Sequence, residues 1–127
     1  MNSDELKKRT KQFALRVMEL VDALPKTTAG RAIGGQLIRS GTSVGANYRA
    51  ACRGRSKAEF AAKLGTVAEE ADESCFWLEL IVEGGLLAES MVRSLYDEAN
   101  ALTAIFTAAA KTSRIANQQL KNADQKS

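Results

Sequence analysis

The chain has 127 residues, of which 45% are hydrophobic, one is proline, two are cysteine and none is histidine. This length suits a single domain, and the low proline content with abundant Ala, Leu, Glu and Lys favours helices. The lack of histidine excludes His-based catalytic triads, imidazole acid–base catalysis and His-ligated metal sites. No window of 18 apolar residues could span a membrane, and the charged N-terminus MNSDELKKRT lacks a signal-peptide core, so we expect a cytoplasmic protein.

Breaks in the hydrophobic periodicity divide the chain into four amphipathic helical segments. Pro25 ends the first, because the residue before a proline is pushed out of the helical region. Ser56 and Glu59 have the form of a capping box that opens the third, and Gly84 ends it. Short loops between such helices predict an all-α fold, an antiparallel up-down-up-down four-helix bundle. The predicted ranges are helices at about 3–24, 28–53, 57–83 and 89–114, within a bundle of residues 1–115 followed by a polar, flexible tail at 116–127.

Apolar side chains at helical spacing predict the core of this bundle. If the second and third helices form a hairpin around Gly54, Cys52 lies near the turn and Cys75 far from it. A disulfide between them is therefore not expected, and we predict two buried thiols. The predicted inward residues include Phe13, Val17, Leu20 and Leu24, then Leu37, Ile38, Val44 and Tyr48, then Leu64, Val67 and Leu78, and finally Met91, Leu95, Leu102 and Phe106.

The stretch from Arg39 to Lys57, RSGTSVGANYRAACRGRSK, carries three of the nine glycines and the densest run of arginines. Gly41 and Gly45 lie four residues apart, and each costs up to about 1 kcal/mol relative to Ala inside a helix. Paired small residues at this spacing are kept where another backbone approaches closely. A break or kink near Gly41 is the alternative interpretation.

A polar stripe on the same stretch is predicted to face an acidic run. Arg39, Ser43 and Asn47 lie at i, i+4 and i+8, on one face of a helix. A hairpin between the second and third helices places Arg39 opposite Glu70, so the run AEEADES faces the stripe. We interpret it as an interhelical polar network in which an Arg–carboxylate pair fixes the register. A small polar pocket or a subunit contact is the functional alternative. The stripe comprises Arg39, Ser40, Ser43, Asn47, Glu70 and Glu73.

Charge is distributed unevenly along the chain. Residues 1–57 carry 12 basic and 4 acidic side chains (+8), residues 58–105 carry 2 and 10 (−8), and residues 106–127 carry 4 and 1 (+3). Such asymmetry is typical of nucleic-acid binding, and also of basic and acidic helices that neutralise each other within or between chains, which we favour. For the first-helix cluster, a solvated surface is the preferred interpretation and phosphate contact the alternative. The candidate nucleic-acid contacts are Arg49, Arg53, Arg55 and Lys57 around the second turn, and Lys7, Lys8, Arg9 and Lys11 in the first helix.

No residue set in the sequence forms a known catalytic, metal-binding or nucleotide-binding signature. The run AEEADES is rich in carboxylates, but di-metal sites of helical bundles add histidines from facing helices. The glycines form neither GxxxxGK[ST] nor GxGxxG. Trp77, beside Phe76, is typical of a core or an oligomer surface. We therefore predict no enzymatic activity, no cofactor and no metal.

The strings RSGTSVGANYRAACRGRSKAEFAAKL and EADESCFWLEL resemble the bacterial four-helix bundle proteins named after open reading frames in 23S rRNA intervening sequences. The likeness runs from the turn at Pro25 to the fourth helix, and its most specific part is RS-x-x-S-x-x-x-N. Many relatives carry Glu where this chain has Ala50 and Lys where it has Glu69, so a role of that pair is not expected here. The residues that fit the pattern are Arg39, Ser40, Ser43, Asn47, Arg55, Ser56, Phe60, Leu64, Glu70, Asp72 and Trp77.

The resemblance implies a left-handed antiparallel bundle that forms a homo-oligomer, typically a pentameric ring, without enzymatic activity. More distant similar proteins are accessory factors of reverse transcriptases, and they bind nucleic acid and the polymerase through basic surfaces. Our first hypothesis is a non-catalytic ring whose basic rim binds RNA or DNA. The alternative is a protein-interaction module, for example an accessory to a reverse transcriptase, that does not bind nucleic acid itself.

Overall fold

The computed structural model describes residues 1–126, which form four α-helices joined by short loops. The helices are α1 (Ser3–Asp22), α2 (Thr28–Cys52), α3 (Lys57–Glu83) and α4 (Glu89–Lys126). Each helix packs against its neighbours in sequence, and α1 also packs against α4, which closes the bundle. Because short loops make neighbouring helices antiparallel, the predicted all-α up-down-up-down four-helix bundle is confirmed. None of the helices in residues 1–126 combines the length and the apolar character needed to cross a lipid bilayer.

The first three helices each begin at a polar cap, because the first N–H groups of a helix lack partners within it. Asn2, Thr27 and Ser56 accept hydrogen bonds from backbone N–H groups of the first turns of α1, α2 and α3. The predicted capping box is present in altered form. Glu59 donates its N–H to Ser56 Oγ at 3.1 Å, while its carboxylate accepts from the N–H of Arg55 at 3.2 Å rather than from that of Ser56.

The core follows the predicted apolar stripes except at two positions. Ile38 is 37% exposed and Met91 is 53% exposed, so both inward assignments are wrong. At the second of these, Val92 is buried instead, because it lies in phase with Leu95 and Ala99 at three- and four-residue steps. The largest fully buried side chains are Phe13, Val17, Leu37, Val44, Val67, Leu78, Ile81, Val92, Leu102 and Phe106.

Glycines on α2 allow its backbone to approach α1. A Cβ placed on Gly41 would lie 2.8 Å from a methyl carbon of Val17, closer than atoms pack in proteins. A Cβ on Gly45 would lie 3.3 Å from Thr10 Oγ1. The close approach predicted from the glycine spacing is therefore present. The alternative, a break near Gly41, is wrong, since α2 is continuous.

The fourth helix is longer than the sequence pattern predicts. It continues past the predicted end near Arg114 to Lys126. The physical reason is that no Gly or Pro interrupts residues 89–126, and Gln, Leu, Lys and Ala are good helix formers. Asn117 also contacts the bundle, donating from Nδ2 to the carbonyl oxygen of Lys57 at 2.9 Å. Ser127, the last residue of the predicted tail, lies outside the described residues.

Candidate functional site

The predicted contact between Arg39 and Glu70 is present across α2 and α3. Arg39 Nη1 lies 3.2 Å from Glu70 Oε2, and the same guanidinium forms an ion pair with Glu73. Its Nε donates a hydrogen bond to Gln36 Oε1 at 3.2 Å. The Arg39 side chain is 48% exposed and that of Glu70 is 20% exposed. The group is therefore an interhelical ion-pair network at the surface.

The remaining stripe residues bond within the bundle. Ser40 is fully buried, and its hydroxyl lies 2.9 Å from that of Ser74, which is also fully buried. Ser43 donates to the carbonyl oxygen of Arg39 at 2.6 Å, and Asn47 Nδ2 donates to that of Ser43 at 2.9 Å. Small hydroxyl groups let α2 and α3 pack closely while satisfying their own hydrogen bonds. The α2–α3 contacts of the stripe are thus the Arg39 ion pairs and the Ser40–Ser74 hydrogen bond, whereas Ser43 and Asn47 bond within α2.

Replacing Arg39 by Ala is expected to lower the free energy of unfolding by at most about 1 kcal/mol, because exposed ion pairs contribute little. Urea unfolding of Arg39→Ala, Glu70→Ala and the double variant gives their coupling energy. We expect a coupling of about 0.5 kcal/mol. A loss above about 3 kcal/mol in Arg39→Ala alone would instead mean that Glu70 is left buried without a partner.

The basic residues around the turn between α2 and α3 are all exposed. Within residues 1–126, no carboxylate lies at ion-pair distance from their side chains, in contrast to Arg9, Arg39 and Arg93. Four unneutralised cations at one place create a positive potential that attracts polyanions. These residues are Arg49, Arg53, Arg55 and Lys57.

The first-helix cluster divides into two groups. Arg9 makes a two-pronged ion pair with Glu98 of α4, with Nε–Oε2 and Nη2–Oε1 distances of 2.8 and 2.7 Å. This hydrogen bond raises the pKa of Arg9. Arg9 is therefore paired with a carboxylate of the bundle that neutralises its charge, and its contact with nucleic acid stays a prediction. Lys8 and Lys11 are exposed and Lys7 is half-buried, without an ion pair among the described residues.

Both basic clusters lie at the same end of the bundle. A shallow cleft there is lined by Ser3 of α1 together with Arg55 and Lys57 of the turn. The contact between Asn117 and Lys57 places the distal part of α4 at this end too. The exposed Arg114, Lys111 and Lys121 of α4 therefore add to the positive surface. The sequence did not lead us to predict these residues as nucleic-acid contacts. The absence of Gly and Pro after Arg114 does indicate that the helix continues and carries them to this end.

Two buried groups of the described chain, the Cys75 thiol and the Tyr48 phenol, have raised pKa values. Burial raises the pKa of the Cys75 thiol, which lowers its reactivity, since the thiolate is the nucleophile. Burial, aided by a hydrogen bond with Cys52, raises the pKa of Tyr48 to about 12. The Tyr48 ring packs on Phe106 at a centroid distance of 5.2 Å. Over residues 1–126, no group of three or more Cys, Asp and Glu side chains is arranged to hold a metal ion.

Stability is expected to fall between about pH 10 and pH 12 because of Tyr48. The folded chain keeps the phenol proton up to about pH 12, whereas the unfolded chain loses it near pH 10. Below pH 10 the contribution of the protonated Tyr48 phenol to the free energy of unfolding is fully present. This contribution, up to about 2–3 kcal/mol, is lost as the pH rises to 12. Urea unfolding midpoints of wild type and Tyr48→Phe across this range measure it. Equal declines in both proteins would contradict the assignment to Tyr48.

The fold and this surface define a class: a four-helix bundle protein with polar interhelical networks and one basic end. Residues 3–108 match the family of 23S rRNA-intervening sequence proteins, and the chain belongs to that family. Among solved structures, a protein of unknown function of the S23 ribosomal protein family from Bacteroides thetaiotaomicron is similar, with a TM-score of 0.80. It is 29% identical, and the alignment covers 87% of this chain and 99% of that chain. Among proteins with curated descriptions, none is significantly similar.

Proposed function

We propose that the chain is a non-catalytic protein that forms a homo-oligomeric ring and binds RNA or DNA through its basic end. The observation that carries the proposal is the group of exposed cations around the α2–α3 turn without carboxylate partners in residues 1–126. Lys8 and the basic residues of distal α4 extend the same surface. Arg and Lys contacts to phosphates supply most of the affinity in sequence-independent nucleic-acid binding.

A ring would strengthen this binding by repeating the basic end around an axis. The resemblance to the family implies five copies, and a ring axis parallel to the helices brings all basic ends to one rim. Repeated sites on one polyanion bind far more tightly than a single site, because the second contact is intramolecular. The same arrangement leaves the acidic parts of α3 away from the polyanion.

Nucleic-acid binding is tested with the purified protein after nuclease and high-salt treatment. Fluorescence anisotropy of a labelled, mixed-sequence single-stranded RNA is measured between about 50 and 200 mM salt, with the duplex DNA of the same sequence as comparison. Four phosphate contacts predict a slope of about −3 in a plot of log affinity against log salt, from about 0.7 per contact. Absence of binding at the lowest salt would refute the proposal and favour the alternative, a protein-interaction module.

A further inference from the structure

The final turns of α4 project past the end of the bundle. Asn117 contacts the carbonyl oxygen of Lys57, the first residue of α3, so the residues after Asn117 extend beyond the start of α3. The helix continues through residues 118–126, which adds about 13 Å at 1.5 Å per residue. Residues 118–125 are all exposed, so the bundle covers no side of this segment. We call residues 118–126 the projecting helix, and it lies outside the family match at residues 3–108.

Cationic and amide side chains form a row along one side of distal α4. Asn100 and Thr103 mark the side of α4 that faces α3, since both lie within hydrogen-bond distance of Cys75 Sγ. Steps of three and four residues continue this side along the helix and past the start of α3. The side chains of the row are all exposed, and its cations form no ion pair within residues 1–126. The row consists of Lys111, Arg114, Gln118, Lys121 and Gln125.

The row and the α2–α3 turn border an open notch at the basic end. Because α3 begins at Lys57, α3 does not cover the side of the projecting helix that carries the row. The α2–α3 turn, with Arg53 and Arg55, lies on that side instead, since it directly precedes α3. Cations therefore border the notch on both sides. One side is a free helix, and the other is the end of the bundle.

Cations outnumber carboxylates around this notch. Glu59 lies in the first turn of α3, where its carboxylate accepts a hydrogen bond from the N–H of Arg55. Asp124 lies on the projecting helix next to the row, and two more carboxylates lie in the first turn of α1. Eight cations stand against these four carboxylates, so the end keeps an excess of positive charge that attracts a polyanion. The cations are Lys7, Lys8, Arg53, Arg55, Lys57, Lys111, Arg114 and Lys121.

The chemistry of the notch favours B-form duplex DNA over other nucleic acids. A helix about 10–12 Å across fits the B-DNA major groove, which is about 12 Å wide, whereas the major groove of A-form RNA is too narrow. Gln side chains hydrogen-bond to base edges in that groove, and Lys and Arg contact phosphates. Single strands are bound by stacking bases on successive aromatic rings. Residues 107–127 contain no aromatic residue, and Phe60, beside the cleft at the turn, is half-buried.

We propose that the projecting helix enters the major groove of duplex DNA while the α2–α3 turn contacts the adjacent phosphates. Gln118 and Gln125 face the base edges, and Arg114 and Lys121 contact the phosphates that border the groove. This inference rests on the proposed function, because it names the nucleic acid that the same basic end binds. It does not depend on the number of copies in the oligomer.

The preference for B-form DNA is tested by fluorescence anisotropy at about 0.1 M salt with a labelled DNA duplex of about 20 base pairs, two helical turns. The RNA duplex and the single-stranded DNA of the same sequence are the comparisons. We expect the DNA duplex to bind at least about tenfold more tightly than either, because each added phosphate contact contributes about eightfold at this salt concentration. The same DNA duplex with glucosylated hydroxymethyl groups on its cytosines has a filled major groove and unchanged phosphates. It should lose this advantage.

Two variants with the same change in charge separate the projecting helix from the turn. Arg114→Gln/Lys121→Gln should weaken binding to the DNA duplex about 60-fold, since two B-DNA phosphate contacts are lost, and should change binding to the RNA duplex much less. The preference for DNA then disappears. Arg53→Gln/Arg55→Gln should weaken binding to all three nucleic acids and keep the preference. All four side chains are exposed, so the fold should be retained, as circular dichroism will verify.

The outcomes distinguish failure of this inference from failure of the proposed function. Equal affinity for the glucosylated and the unmodified duplex would overturn entry into the major groove. The same would follow if Arg114→Gln/Lys121→Gln lowered the affinity for all three nucleic acids by one factor, or if the RNA duplex bound most tightly. In each of these cases, binding at the basic end would stand. Absence of binding to all three nucleic acids would overturn the proposed function together with this inference.

Discussion

Gly41→Leu is expected to lower the free energy of unfolding by about 3 kcal/mol or more. The first side-chain carbon alone would lie 2.8 Å from a methyl carbon of Val17, which is fully buried. Val17 is β-branched and stiff at χ1, so it cannot rotate away. The three further carbons of Leu would have to separate α1 from α2, and overpacking of a filled core costs about 1–3 kcal/mol or more.

The matched control is Gly35→Leu on the same helix. A Cβ at Gly35 meets nothing within 4 Å, and the residue is exposed. Leu should there raise stability by up to about 1 kcal/mol, because it is a better helix former than Gly. Urea unfolding followed by circular dichroism gives both values. If the two variants changed stability equally, the close approach of α1 to Gly41 would be incorrect.

The glycine pair shows what the sequence predicts well. Spacing alone indicated a close helix contact at Gly41 and Gly45, but it could not name Val17 and Thr10 as the residues on the other side. The apolar stripes and the helix starts were predictable for the same reason, since both depend on local periodicity and capping. The prediction for Met91 was wrong because a shift of one residue in the apolar pattern decides whether Met91 or Val92 faces the core. The packing of α4 on the bundle selects Val92.

The candidate site was predictable where hairpin geometry is simple. Arg39 and Glu70 lie on adjacent antiparallel helices, so counting from the turn was sufficient to pair them. Arg9 was different, because its partner Glu98 is 89 residues away and the pairing depends on the rotation of α1 relative to α4. A sequence pattern does not fix that rotation. The sequence pattern therefore predicts four equivalent basic residues in the first helix, whereas one of them, Arg9, forms an ion pair with Glu98.

The unpaired basic charge of the bundle is concentrated at one end, which follows from its topology. The basic α2–α3 turn and the lysine-rich start of α1 lie at that end, whereas the other end mixes Glu79, Glu83 and Glu89 with the exposed Lys26 and Arg31. A polyanion would therefore be attracted more strongly to the first end than to the second. The location of binding, and not only its strength, is therefore open to test.

Neutralising the cations of the α2–α3 turn is expected to weaken RNA binding several hundredfold at about 0.1 M salt. Each single-stranded phosphate contact contributes a salt slope of about 0.7, which corresponds to about fivefold in affinity at this salt concentration. Loss of four contacts should also make the log–log salt dependence shallower by about 3. The side chains are exposed and unpaired in the described chain, so folding should be unaffected. The variant combines Arg49→Gln, Arg53→Gln, Arg55→Gln and Lys57→Gln.

Two double variants with the same change in charge separate location from total charge. Arg53→Gln/Arg55→Gln removes two cations from the basic end, and Lys26→Gln/Arg31→Gln removes two exposed cations from the other end. The first should lose about 25-fold in affinity, with a slope shallower by about 1.4, since two phosphate contacts are removed. The second should change affinity by less than about threefold, because its residues lie more than a Debye length of about 10 Å from the bound strand. Equal losses in the two variants would show that the RNA responds to net charge alone, and the basic end would then not be the binding site.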